Sequence, residues 1–166
     1  NGSTGSNSLD FVEISTTGNA VDFGDLSSTF NAASGTSSAT RWMQGGGYDY
    51  GASGMSNKVE FVEFGSLGNA VDFGDLTSSR YTVAAASNSL RGVFAGGETP
   101  ADRVNTIDFV TIATRANATD FGDLSAATNN TCGASTGHGG IETFVPRAPE
   151  LYSPTGEILP KGAGAG

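Results

Sequence analysis

The stretch "NAVDFGDL" occupies residues 19 to 26 and recurs letter for letter at 69 to 76, while "NATDFGDL" closes a third copy at 117 to 124. Asp-Phe-Gly is the spelling of a kinase magnesium motif, but a threefold occurrence asks for another reading. Extended leftwards, the copies are "NSLDFVEISTTGNAVDFGDL" at 7 to 26, "NKVEFVEFGSLGNAVDFGDL" at 57 to 76 and "NTIDFVTIATRANATDFGDL" at 105 to 124. Ten of twenty columns are the same in all three, which makes the stretch part of a repeat. The copies begin 50 and 48 residues apart, and "RWMQGGG" at 41 to 47 and "RGVFAGG" at 91 to 97 keep the same spacing. An internal period near 50 points to propeller blades or an array of stacked units.

Each unit is built from short β-branched and aromatic runs cut by Gly, Asn, Asp and Ser, the pattern of strands and turns. Four strands are expected per unit. A small-residue strand such as "YTVAAAS" at 81 to 87 suits a crowded centre, "RGVFAGG" follows, then "NTIDFVTIA", then an outer edge carrying "DFGDL". Along the third strand Leu9 and Phe11 alternate with Val12 and Ile14, and the other copies repeat this. Apolar residues on both faces predict a sheet covered on both sides, as when blades sandwich one another. Phe23, Phe73 and Phe121, with Leu26, Leu76 and Leu124, are expected to fold the edge strand onto its blade. Full burial of one Phe is worth roughly 1.5–3 kcal/mol, reason enough to keep it without catalysis.

An Arg, an apolar strand, a glycine pair, a second apolar strand, then an aromatic followed three residues on by Leu resembles the kelch repeat of β-propellers. Phe stands here for the Trp usual in the outer strand, and the turns are richer in Asn and Gly. The variant with "TTGNAVDFGDL" and "RGVFAGG" is similar to repeats of structural and tail-fibre-like proteins of tailed bacteriophages. The resemblance covers residues 1 to about 135. It implies an all-β fold of kelch-like β-propeller blades, each of four antiparallel strands, in a virion protein outside the cell.

The expected division is an outer half-blade at 1–27, complete blades at 28–76 and 77–124, the first strand of another at 125–137, and a Pro/Gly-rich loop or linker at 138–166. Four of the five prolines lie in that last segment. Closing a propeller takes about four to eight blades. The chain is therefore expected to be a segment of a larger propeller, a fragment of a longer polypeptide, or else one of several copies that assemble. No charged-then-apolar leader is seen, so secretion through a signal peptide is not supported, and without an initiator Met the chain is expected to be processed or a fragment of a longer polypeptide.

Composition narrows the partners. Lys and Arg number 8 against 17 acidic residues, a formal charge of −9 that disfavours nucleic-acid phosphate and anionic membrane surfaces. No apolar run approaches the ~20 residues of a membrane span. With 37% apolar residues and 10 Phe, a packed core is expected despite 25 Gly. Copies of the chain itself, other virion proteins and a host-surface glycan or receptor remain as partners.

The candidate chemistry is thin. Phosphoryl transfer needs a phosphate loop, a strand Lys and a catalytic Asp with an Asn metal ligand, whereas this chain has two lysines, Lys58 and Lys161, and no His-Arg-Asp. Calcium is the other metal reading: Asp22 with Asp25, Asp72 with Asp75 and Asp120 with Asp123 pair carboxylates around a Gly, and Asn19, Asn69 or Asn117 adds an oxygen. The preferred alternative is that Asp and Asn bond their own turn backbone while Gly24, Gly74 and Gly122 take positive φ. Cys132 is the single cysteine, which excludes an internal disulfide. It reads as a buried or bystander thiol; with Ser135 it is the nucleophile a triad around His138 would need, but flanking glycines make His138 a loop residue. Arg41 and Arg91 either take a ligand carboxylate or bridge a turn carbonyl or neighbouring blade, the second being preferred. Asn1, Asn117 and Asn129 open Asn-X-Ser/Thr sequons, which matter only in a glycosylating host. Among the aromatics Trp42, Tyr48, Tyr50, Tyr81 and Tyr152, the surface-contact candidates are Tyr48, Tyr50 and Tyr152, together with His138.

Taken with the resemblance to phage repeats, which alone implies the virion, these features lead to the expectation of a non-enzymatic virion module, a tail fibre or related appendage whose rigid scaffold makes host-surface or inter-subunit contacts. The competing readings are a glycan-degrading propeller hydrolase or lyase and a purely architectural self-assembling subunit.

Overall fold

The computed structural model describes residues 5–135, and these form twelve strands and no helix. In chain order they are β1 (Ser6–Phe11), β2 (Val21–Asn31), β3 (Ser34–Ser37), β4 (Arg41–Gly45), β5 (Tyr48–Asp49) and β6 (Gly54–Met55). There follow β7 (Lys58–Glu63), β8 (Val71–Asp75), β9 (Ala84–Ser87), β10 (Arg91–Ala95), β11 (Thr106–Thr111) and β12 (Thr119–Asp123). All pair antiparallel in three four-stranded sheets. The middle sheet is ordered β3-β4-β7-β8, with β5 and β6 intervening in the chain between β4 and β7, and the third is the meander β9-β10-β11-β12. The fold is all-β.

The first sheet is ordered β1-β2-β5-β6. Strand β2 runs through the boundary expected between residues 27 and 28, and its end, Phe30 and Asn31, pairs with Asp49 and Tyr48. "GGGYDYGASG" is therefore not an open loop. Its Tyr48 and Tyr50 rings meet edge to face at 5.3 Å on a hairpin that pairs with the end of β2, the strand that crosses from the first unit into the middle one. The third unit keeps a reduced form of this hairpin, with Tyr81 bridging Glu98 and Glu98 bridging Arg103.

The core lies between the middle and third sheets. Met43, Val59, Phe61, Phe73 and Leu76 from one side meet Val83, Phe94, Val110 and Ile112 from the other, all buried. Gly45 makes this fit possible, because a Cβ there would stand 2.6 Å from the Phe94 ring. The middle sheet also buries Glu60 and Val62 on its opposite face, towards the first sheet. At the two ends the same columns are open: Val12 and Ile14 are exposed in the first unit, and Phe121 is 56% exposed in the third.

"DFGDL" differs locally from expectation. Leu9 faces Gly24 while Asp10 faces Asp22, and the same slip recurs at Val59/Glu60 and Ile107/Asp108. Phe23, Phe73 and Phe121 are thus the extra residues of a β-bulge inside the edge strand. The glycine does take positive φ, 150° at Gly24 and Gly74 and 140° at Gly122. It does not turn the chain, because the ladder resumes at Asp25, Asp75 and Asp123.

Residues 125–135, expected to hold the first strand of a further unit, contain no strand. An inner strand forms against the next one in its own unit, and no such partner exists among the described residues. Gly133 nevertheless lies against the backbone of Ala85. His138, Tyr152 and the segment 138–166 fall outside the described residues.

Candidate functional site: the seam between repeat units

The most repeated polar residues meet at the seams where one unit packs on the next. At the first seam the Asp25 N–H donates to Asn69 Oδ1 at 3.0 Å. The Ala70 N–H donates to the Asp25 carbonyl at 2.8 Å, and the Gly68 N–H to the Phe23 carbonyl at 2.9 Å. The second seam repeats the arrangement, with Asp75 N–H to Asn117 Oδ1 at 3.1 Å and Ala118 N–H to the Asp75 carbonyl at 2.7 Å. Asn69 and Asn117 therefore serve the preceding unit, correcting the expectation that they bond their own turns. Gly24 and Gly74 admit the incoming loop, since a Cβ on Gly74 would stand 2.5 Å from the Ala116 carbonyl oxygen.

An acid in the third strand makes a second repeated contact. Glu60 Oε1 accepts from the Ser27 N–H at 3.3 Å, and Asp108 Oδ2 from the Thr77 N–H at 3.0 Å. The second seam adds a buried ion pair, Arg80 Nη2 to Asp108 Oδ2 at 2.7 Å, with both side chains at 0% exposure. Thr77 Oγ1 donates to the same carboxylate at 2.8 Å, and Arg80 Nη1 donates to the Thr106 carbonyl at 3.1 Å. Burial pulls the Arg80 guanidinium below its usual value and the neighbouring Asp108 charge opposes that. At the first seam Phe30 stands in the Arg80 column, and Glu60 Oε2 is buried without a partner.

Arg41 crosses the second seam as well. Its Nη1 donates to the Ile112 carbonyl at 2.7 Å, its Nη2 pairs with Glu63 at 2.8 Å, and its guanidinium lies 4.8 Å from the Phe61 ring centre. Of its two expected roles it fills that of bridging a neighbouring unit. Arg91 stacks likewise on Phe109 at 4.5 Å.

The remaining candidates are not brought together. Among the described residues no group of three or more His, Cys, Asp and Glu side chains is placed to hold a metal ion. Asp120 bonds its own strand, accepting from the Gly122 N–H at 3.1 Å. Cys132 is exposed rather than buried.

Asp49, passed over in the sequence, is the hairpin's anchor. It accepts from the Ser28 hydroxyl, from the Gly51 and Ala52 N–H groups at 2.8 and 3.1 Å, and from Lys58 at 3.4 Å. Burial pushes its carboxyl up, but the hydrogen bonds from Ser28 and Ala52 and the Lys58 charge outweigh that and hold it below the usual range. A carboxyl with a folded value below its unfolded one stabilises the fold above the unfolded value, about pH 4, and the gain fades as pH falls through the folded value. Asp49→Asn is accordingly expected to be less stable than wild type at about pH 7 and to lose less on going to about pH 3. Urea unfolding at the two pH values measures both.

Asn117→Ala is expected to cost about 1 kcal/mol by removing one cross-seam acceptor. Asn19→Ala, in the same column but with no cross-seam hydrogen bond among the described residues, is expected to stay within about 0.5 kcal/mol of wild type. The same unfolding assay separates them.

No protein-family model matches the chain, and no curated protein sequence matches it.

Proposed function

We propose that the chain is a non-enzymatic structural module of a phage virion, a tail-fibre or appendage scaffold offering host-surface or inter-subunit contacts. The observation that carries the scaffold part is that Asn69, Asn117, Asp25, Asp75, Glu60 and Asp108 are all engaged in holding one unit to the next. Repeated residues of a catalytic centre would instead converge on a substrate-sized space. The virion part rests on the resemblance of the repeat to phage tail-fibre-like sequences. On such a scaffold, many weak contacts through loops add by avidity.

The test is to present the protein with host-surface polysaccharides. Glycan capture without product release supports an adhesive module, and rings or fibres in negative stain without glycan capture support an architectural one. Turnover of polysaccharide overturns the non-enzymatic reading in favour of a glycan hydrolase or lyase.

A further inference from the structure

The second seam acts as a template for burial and both seams for hydrogen bonds, and the first and third units each carry one half of a further seam. On the third sheet Val93, Ile107, Phe109, Phe121 and Leu124 occupy the columns that Met43, Val59, Phe61, Phe73 and Leu76 occupy in the middle unit. In the middle unit all five are buried by the next unit; on the third sheet none of the five is buried. On the first unit Asp10, Val12 and Ile14 occupy the columns of Asp108, Val110 and Ile112, which are buried at the second seam, and here all three are exposed.

We propose that the open face of the third sheet takes the first unit of a second copy of this chain, head to tail. This rests on the scaffold reading and names its partner. The hydrogen bonds match as well as the apolar columns. Asn19 stands in the column from which Asn69 and Asn117 reach back to Asp25 and Asp75, so Asn19 of the incoming copy meets the Asp123 N–H. Gly122 has space for the arriving loop: a Cβ there meets no atom within 4 Å, against 2.5 Å at the already covered Gly74. Asp10 of the copy meets the Ser125 N–H as Asp108 meets that of Thr77, and the Ile14 carbonyl meets Arg91 as that of Ile112 meets Arg41. Thr128 stands in the Arg80 column, so this contact lacks the guanidinium. The first seam also lacks it and still forms its cross-seam hydrogen bonds. Because donor and acceptor faces lie on different units, the contact is heterologous and propagates into a ring or an open filament.

Ile14→Asp blocks only the donor face and Phe121→Asp only the acceptor face, at side chains 94% and 56% exposed. In sedimentation velocity the wild-type chain is expected to form species larger than a dimer, with each variant alone monomeric. An equimolar mixture is expected to give a one-to-one dimer, since each variant keeps the face the other has lost. Far-UV circular dichroism matching wild type shows that the variants are folded. A wild-type chain that stays monomeric at all concentrations overturns the proposal, whether residues 136–166 or some other partner covers the face. So does assembly that survives either substitution. Polysaccharide turnover is read separately, so failure here leaves the scaffold reading standing on its own test.

Discussion

Arg80→Leu is expected to be among the most damaging single substitutions in the described residues, lowering stability by about 3–5 kcal/mol and the melting temperature by roughly 10 °C or more. The reason is what stays behind. Asp108 is at 0% exposure, and without Arg80 its charge keeps only the hydroxyl and N–H of Thr77 as partners. A buried pair gains little over an apolar replacement, but half a pair leaves an uncompensated charge out of reach of water. Pairing the change with Asp108→Leu is therefore expected to cost less than the sum of the single substitutions, with a coupling of about 2–3 kcal/mol. Thr77 then keeps an unanswered N–H, so recovery is incomplete. Urea unfolding of the two single variants, the double variant and wild type gives the coupling directly; additive losses would show that the two charges do not depend on one another.

The second large effect sets two identical motifs against each other. Phe73→Ala is expected to cost about 3–5 kcal/mol, because Phe73 is 2% exposed and edge to face with Phe61 at 5.6 Å inside the core. Phe121→Ala removes the same ring from the same Asp-Phe-Gly-Asp-Leu, stacked the same way on Phe109 at 5.9 Å. With 56% of it exposed, the expected cost in the unassembled chain is about 1 kcal/mol or less. Local sequence is held constant between the two variants and only the covering neighbour differs. Thermal unfolding at concentrations too low for association measures the contrast. Equal losses would mean that the ring acts within its own sheet and not across the seam.

The strands of each unit were legible because three copies print the same period-two pattern, and shared columns remove the ambiguity of a single short apolar run. Leu76 and Phe73 were legible as core for the same reason. What escaped was mostly the partner rather than the residue. Asn69 and Asn117 look like ordinary turn residues, since an Asn bonding its own turn and an Asn bonding a strand 42 or 44 residues away have the same spelling. The hairpin at 48–55 escaped because two-residue strands carry no period. Arg80 escaped because its column holds Phe30 and Thr128 in the other copies, so the repeat gives it no emphasis. A signal was present all the same. Asp10, Glu60 and Asp108 place an acid within an apolar strand whose sheet was expected to be covered on both faces, and a buried acid calls for a cation or N–H donors nearby.

The β5–β6 hairpin bears on how such a chain carries load. Because β2 runs across the boundary between the first two repeats and its end pairs with the β5–β6 hairpin, the stretch of sequence that was duplicated is not the stretch that comes apart as a block. Pulling on the first unit draws on backbone bonds rooted between β4 and β7, so tension passes into the middle sheet before the first can peel away. The weak points under force then lie inside the repeats, and each joint is braced by chain from both sides.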